Sequence, residues 1–311
     1  MTMSVAHQAR AFSQSAAVRA RDDLVALHVR GDDRLSWLNG QVTSDVRTIR
    51  HGDGLYALAV TVRGKIMADL WVLDRGDQLC VLLPKAALAH VLESFERQII
   101  MEDVTLAADP TLRVISVQGP RASEVIAAAA EVAIESHHCD ELGHGGAFVL
   151  VNDSELPARL SQLSRCAEAL GGCGVGEAGF ELARLRAGRG VYGRDFGEQH
   201  YPQEAGLKGL AVSFSKGCYL GQEVVCTLEN RGKLTRRLVQ LQGPIGAPLG
   251  IGAELRDAGG GVVGQLTSVA ADPEAGHLLA LGYVKRSSGA AGSELDSGGC
   301  RLHVGAPAGL D

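Results

Sequence analysis

The chain has 311 residues, 46% of them hydrophobic and 21% charged, with a formal net charge of -6. Such a length suits two or three domains rather than one core, and the acidic balance excludes a dedicated nucleic-acid coat while leaving room for a local basic patch. Seven cysteines, an odd number with no Cys-x-x-Cys among them, argue against a disulfide framework and a Cys₄ zinc site, and for a reduced, cytoplasmic protein.

No stretch reaches the roughly 20 apolar residues of a membrane span, so no membrane partner is expected. The first 21 residues lack acids and carry Arg10, Arg19 and Arg21, a faint likeness to a transit peptide. They lack a secretory apolar core and are read as the start of the mature chain.

Leu24 to Val29 predicts a first strand, and an Asp of Gly31-Asp32-Asp33 a helix N-cap before Leu35, Leu38 and Val42 at helical spacing, with a glycine stop at Gly40. Strands follow over Leu55 to Val62, Ile66 to Leu73 and Gln78 to Leu83, with polar turns between them. Lys85 to Ile100 carries Leu88, Val91, Leu92, Phe95 and Ile99 on one helical face. Asp69 interrupts the apolar run Ile66 to Val72. An inward carboxylate is costly unless it is paired or faces a ligand, and strand alternation equally allows Asp69 to face water.

Leu112 to Val117 reads as a strand, followed by a Gln-Gly-Pro turn and an Ala-rich helix from Arg121 to about Ile134. His137, His138, Cys139, Asp140 and His144 read as a polar loop, because their spacings match no zinc signature; no metal is assigned. Phe148 to Val151 is a further strand, and Ala158 to Leu170 a helix stopped by Gly171-Gly172. From Leu238 onward, short apolar strands alternate with Gly/Pro turns over Leu238 to Leu241, Ala253 to Arg256, Val262 to Ala270, Leu278 to Val284 and Arg301 to Val304. They predict a small β-barrel.

The most informative stretch is Lys216-Gly217-Cys218-Tyr219-Leu220-Gly221-Gln222-Glu223. Nearly every residue carries a chemical function or a backbone licence, and Gly217 and Gly221 allow positive φ or a close approach to a ligand. It reads as a turn lining a pocket. Cys218 beside Lys216 suggests a thiol whose pKa a nearby ammonium lowers, with a redox or cluster-contact role; a packing cysteine is the alternative. One cysteine alone cannot hold an iron–sulfur cluster. Downstream, Arg231, Lys233, Arg236 and Arg237 suit counter-ions for a polyglutamate tail or an RNA phosphate, or an ordinary solvated strand end.

This octapeptide resembles the signature of the YgfZ family, folate-binding relatives of the glycine-cleavage T protein linked to iron–sulfur protein maintenance and tRNA modification. Gly31-Asp32 to Val46, the Gln118-Gly119-Pro120 turn and the Gly264 to Val284 region resemble the same family, so the likeness spans essentially the whole chain. It implies an α+β fold: a three-domain ring of two interleaved α/β units over residues 1–230 and a β-barrel over residues 236–311.

The resemblance also implies site residues. An acidic residue shortly after a Gly-Lys turn faces the reactive folate nitrogen in the T protein, and Asp69 after Gly64-Lys65 matches that context. The block from Glu181 to Gly193 resembles the segment whose glutamate pairs with the pterin edge, but Arg186 stands where that glutamate belongs. A guanidinium has donors only and cannot accept from the pterin edge. Either another acid substitutes, Glu181 or Asp195 being nearest in sequence, or folate binds weakly or differently, or the site has changed ligand; Arg186 itself could meet a tail carboxylate or be a surface arginine. Tyr192, Lys216, Gly217, Tyr219, Gly221, Gln222, Glu223 and Arg231 complete the candidate folate site.

The function implied is that of a folate-binding accessory protein, with tetrahydrofolate or a derivative as cofactor. It would support iron–sulfur enzymes, including tRNA-modifying ones, with or without direct RNA contact and without evident turnover. The alternative is a tetrahydrofolate-dependent aminomethyltransferase with Asp69 at folate N5.

Overall fold

The computed structural model describes residues 3–130, 133–232 and 234–307, with residues 231, 306 and 307 described by backbone alone. Helix α1 (Val5–Gln14) begins at Ser4, whose hydroxyl accepts from the His7 N–H. Then come β1 (Ala17–Ala20), β2 (Leu24–Arg30), α2 (Arg34–Gln41), β3 (Gly54–Val60), β4 (Ile66–Asp74), β5 (Leu79–Pro84), α3 (Leu88–Glu96) and β6 (Thr105–Asp109). The middle of the chain forms β7 (Leu112–Gln118), α4 (Ala122–Ala128), β8 (Ser136–His138), β9 (Gly146–Asn152), α5 (Leu156–Ala169), β10 (Cys173–Gly174), α6 (Glu177–Arg186), α7 (Lys208–Ala211) and α8 (Gln222–Arg231). The last strands are β11 (Arg236–Pro244), β12 (Glu254–Arg256), β13 (Val262–Asp272), β14 (His277–Lys285), β15 (Glu294–Ser297) and β16 (Cys300–Pro307).

The first sheet has the order β3-β4-β5-β2-β6, and the second β10-β1-β7-β9-β8. Strand β1 belongs to the second sheet although all of the first follows it, so the two units are interleaved. Together they stack in four layers. Trp37 and Leu38 of α2 and Val91 and Phe95 of α3 cover one face of the first sheet. Its other face meets the second sheet through Leu24, Leu73, Cys80, Leu82, Phe148 and Leu150. Helices α4 and α5 cover the outer face of the second sheet. Burial on both faces explains the unbroken apolar run of β5.

Strands β11-β14-β13-β12-β15-β16 close into a barrel, which removes free edges and fills its interior with side chains such as Val239, Leu255 and Leu302. Helices α1 and α6 bridge the barrel to the second sheet, with Phe12 on Phe180 and Leu182 and Leu185 on the barrel's Leu279 and Leu281.

The α+β ring with a terminal barrel is as the sequence implied; the details differ in instructive ways. Gly40 lies inside α2 rather than ending it. Asp33 precedes α2, but its carboxylate accepts from the Asp103 N–H instead of capping the helix. Helix α4 stops at Ala128, short of the expected Ile134; residues 131–132 lie outside the described residues. The barrel gains β15, whose alternation buries Leu295 and Ser297. Among the described residues, no helix is long and apolar enough to cross a membrane. All seven cysteines are free.

Candidate functional site

A cavity of about 720 Å³ opens where β1, β3, β4, α6 and the loop after α6 converge. That volume suits a cofactor-sized molecule. Aromatic walls come from Tyr56, Trp71, Phe180 and Tyr192, and aliphatic ones from Leu24, Leu82, Leu142, Val191, Leu207 and Leu210. Strand alternation puts Asp69 and Trp71 on the same face of β4, directed toward the second sheet, where Trp71 meets Phe148 edge-on at 5.4 Å. Tyr56 sits opposite Trp71 in the β3–β4 register, its ring 5.0 Å away.

Asp69 is therefore neither solvated nor packed in the core: it lines the cavity. The Tyr56 hydroxyl donates to its Oδ2 at 2.9 Å, while Oδ1 is buried with no partner. Burial pushes the Asp69 carboxyl above the usual carboxylate range, against the Tyr56 hydrogen bond and the Arg21 charge. Burial and the neighbouring Asp69 likewise hold the Tyr56 phenol well above its ordinary value.

Charged groups frame the rest. Arg21 pairs with Glu141 and Asp23; against the pull of burial, these acids raise its pKa. Glu177, Phe180 and Arg184 face the cavity from one stripe of α6, the i, i+3, i+7 spacing of a helical face. Arg184 is fully buried. It binds Glu181 and Asp195, and donates to Ser268 Oγ at 2.6 Å and the Arg189 carbonyl at 2.8 Å. Asp195 also accepts from Thr267 and Ser268, both at 2.6 Å. Glu181 and Asp195, the two acids nearest in sequence to the missing glutamate, are thus consumed by this network.

Arg186 lies outside the cavity wall. Two residues beyond Arg184 on the helix, it points away and grips the barrel strand β13: Nε and Nη2 donate to Asp272 at 2.7 Å each, and Nη2 reaches Glu274 at 3.1 Å. Of the residues expected at a folate site, the cavity brings together Asp69 and Tyr192. Sequence reading missed Arg19, Arg21, Tyr56, Trp71, Phe180, Arg184 and Arg189. The one sequence signal was Arg19 and Arg21 alternating in an otherwise small-residue strand.

The signature forms a separate feature. Lys216 is buried, and its ammonium donates to the carbonyls of Asn39, Val42 and Ser44 at 2.6, 2.7 and 2.8 Å. Burial pulls its pKa to about 8, so it remains charged at neutral pH. All three of its protons are spent on α2 and the segment after it, so none is donated to Cys218. Gly217 and Cys218 are exposed. Tyr219 is buried against Leu58, Ile66, Phe196 and Leu207. Gly221, with φ +79°, starts α8, and a Cβ there would sit 2.3 Å from the Thr61 carbonyl oxygen; only glycine fits. The Gln222 N–H donates to the Tyr219 carbonyl at 3.1 Å, and Glu223 is exposed. The Arg231 side chain and Lys233 lie outside the described residues. Arg236 pairs with Glu204 and Arg237 with the Gly289 carbonyl, so neither is a free counter-ion. Among the described residues, no cluster of His, Cys, Asp and Glu is placed to hold a metal ion. Asp140 instead accepts the N–H groups of its own turn.

The T-protein N-terminal domain (GCVT) model matches residues 1–152. The tRNA-modifying protein YgfZ of Yersinia enterocolitica is 27% identical over 251 residues, covering 75% of this chain and 73% of that protein. The protein of the same name from Yersinia pseudotuberculosis serotype O:1b is 26% identical over 239 residues, covering 71% and 69%. The chain is thus similar in sequence to the YgfZ proteins and has a T-protein fold. The fold is shared with the glycine cleavage system aminomethyltransferase T from Bartonella henselae, at a TM-score of 0.83 over 97% of this chain and 88% of that one, with 20% identity. In this chain, then, the signature and the cavity are distinct places joined by one apolar cluster, since Leu207 both packs on Tyr219 and lines the cavity.

Proposed function

We propose that the cavity binds a reduced folate and that the chain is a folate-binding accessory protein. It would serve iron–sulfur enzymes, including those that modify tRNA, in the cytoplasm. The observation that carries this reading is Asp69: a carboxylate with one oxygen anchored by Tyr56 and the other unpartnered, aimed into a cofactor-sized aromatic cavity. A reduced pterin offers ring N–H donors to such an acceptor and a flat face to Tyr56, Trp71, Phe180 and Tyr192. When bound, tetrahydrofolate supplies a one-carbon carrier; the chain's residues bind it, orient it and exclude water. The similar YgfZ proteins are tRNA-modifying, which supports the role in RNA maturation.

The exposed Cys218, held on a rigid loop by Lys216 and Gly221, is the group proposed to meet client enzymes. The aminomethyltransferase alternative retains Asp69 but loses the glutamate that would read the pterin edge, because Arg186 is turned to the barrel. Calorimetric titration of the native protein and Asp69→Ala with tetrahydrofolate tests the reading. Binding that weakens tenfold or more in the variant, about 1.4 kcal/mol, is expected. No binding to the native protein would overturn it. For Cys218, failure of Cys218→Ala to restore tRNA modification in cells lacking the native protein is expected, and full restoration removes the chemical role.

A further inference from the structure

Two guanidiniums in the cavity wall, those of Arg19 and Arg189, are left without adequate partners. Arg19 is 9% exposed and stacks on the Phe180 ring with its Cζ 3.4 Å from the centroid. Its carboxylate contacts are long, 3.9 Å to Glu141 and 3.8 Å to the exposed Glu177, and its Nε is buried without a partner. Arg189 follows Gly188, whose φ of +65° ends α6. Its backbone is fixed by reciprocal hydrogen bonds with Arg184, each 2.8 Å. Its Nη1 is buried with no partner, and among the described residues no carboxylate is in contact with it.

Three acids of the wall are already engaged elsewhere. Glu141 serves Arg21 and Ser116, Asp23 serves Arg21, and Asp140 serves backbone N–H groups. Burial lowers the pKa of both Arg19 and Arg189, the mark of charge held in place without full compensation. A purely structural arginine would look like Arg184, with every donor used. A buried donor left unmet costs free energy; it is tolerated where a ligand completes it.

We propose that Arg19 and Arg189 form an anion-receiving pair, so that the cavity takes a flat aromatic ligand bearing a carboxylate. This deepens the folate reading and rests on it for the identity of the aromatic body: the glutamyl carboxylate of the folate, rather than its pterin edge, meets these guanidiniums. It also explains how a cavity without the edge-reading glutamate would retain affinity, since charge-assisted hydrogen bonds to the tail carboxylate take the place of those to the glutamate carboxylate.

The test compares 5-formyltetrahydrofolate, which carries glutamyl carboxylates, with a neutral tetrahydropterin that lacks that arm. Each is titrated into native protein, Arg19→Gln, Arg189→Gln and Arg189→Lys, with inorganic phosphate as a competitor. The expected result is an affinity loss of about tenfold or more for the carboxylate ligand in each Gln variant, partial retention in Arg189→Lys, and no change for the neutral pterin. Equal losses for both ligands, or no loss for either, overturn the pair. Competition by phosphate as strong as by the carboxylate would overturn the carboxylate assignment. The melting temperature of ligand-free Arg189→Gln separates this proposal from the folate reading. If the native protein binds neither pterin, the folate reading fails. The pair still stands if the variant melts at or above the native temperature, and falls if it melts several degrees lower, as a structural arginine would.

Discussion

The Tyr56 hydroxyl holds one oxygen of the Asp69 carboxylate at 2.9 Å and leaves the other bare in the cavity. Binding competence and stability therefore oppose each other at this residue. Burial raises the folded pKa of Asp69, so the folded state keeps a proton that the unfolded state has lost. Its stability contribution is largest below the unfolded carboxylate pKa and declines as pH rises through the folded value. Asp69→Asn retains an acceptor for Tyr56 and removes the charge. It is expected to be more stable than the native protein at pH 8 by on the order of 1 kcal/mol, with the advantage vanishing near pH 4, while folate affinity falls. Urea denaturation across that pH range checks the sign; a variant less stable at pH 8 would mean that the carboxylate is satisfied in the free protein.

Lys216 makes a contrasting case, since its three donors are all satisfied by backbone carbonyls. Lys216→Met strands those carbonyls in a buried site and frees the signature loop from α2. A loss of about 3 kcal/mol is expected, read as a lower urea midpoint with unchanged slope. Because the ammonium is buried and donates nothing to the exposed Cys218, the rate of Cys218 alkylation per folded molecule should stay within about twofold of native. A large drop in that rate would restore the activating role that adjacency in sequence suggested.

Much of the fold was legible because local signals and burial agree. The aliphatic strands β2, β4 and β5 are covered on one or both faces, and the barrel strands are punctuated by glycine and proline. Helix α1 was not read, because its buried face is mostly alanine, Ala6, Ala9 and Ala11 with Phe12, which carries little periodic contrast. The cavity was legible at Asp69, where a charge broke an apolar strand, and at Tyr192 through the family resemblance. Its arginines were opaque, because whether an arginine is spent on a neighbour depends on residues far off in the chain: Arg184 on Ser268, Arg186 on Asp272. The signature misled in position, since eight chemically dense residues build a rigid loop beside the cavity rather than its wall.

The Arg186–Asp272 pair yields a prediction about specificity. Arg186 fixes α6 to the barrel from outside the cavity. The pair holds Asp272 below the ordinary carboxylate range, chiefly through the Arg186 hydrogen bonds. Arg186→Ala should cost about 1–2 kcal/mol, since the bidentate pair is half buried, and leave tetrahydrofolate affinity within about threefold. Arg186→Glu, which restores the T-protein residue type, should lose stability further by setting a third acid beside Asp272 and Glu274, and gain no affinity. An affinity gain in Arg186→Glu would show that α6 can turn this position to the ligand.

His200 gives the protein an acid limit. Its ring stacks on Tyr283 at 4.3 Å, with planes 13° apart, and its Nδ1 accepts from the Gly197 N–H at 3.2 Å. Burial lowers its pKa to about 4, with the Arg236 and Lys65 charges adding to the effect and Glu204 opposing it. The unfolded imidazole titrates near 6.5. Between about 6.5 and 4 the unfolded state binds the extra proton, so stability falls as pH falls through that window. The slope is at most about 1.4 kcal/mol per pH unit, and less because the ring is only partly buried. His200→Phe keeps a ring on Tyr283 and removes the titration, at the cost of the Gly197 hydrogen bond, about 1 kcal/mol. Its stability should be flatter than native over that window, and the two curves should converge toward pH 4. Parallel curves would place the acid sensitivity elsewhere in the molecule.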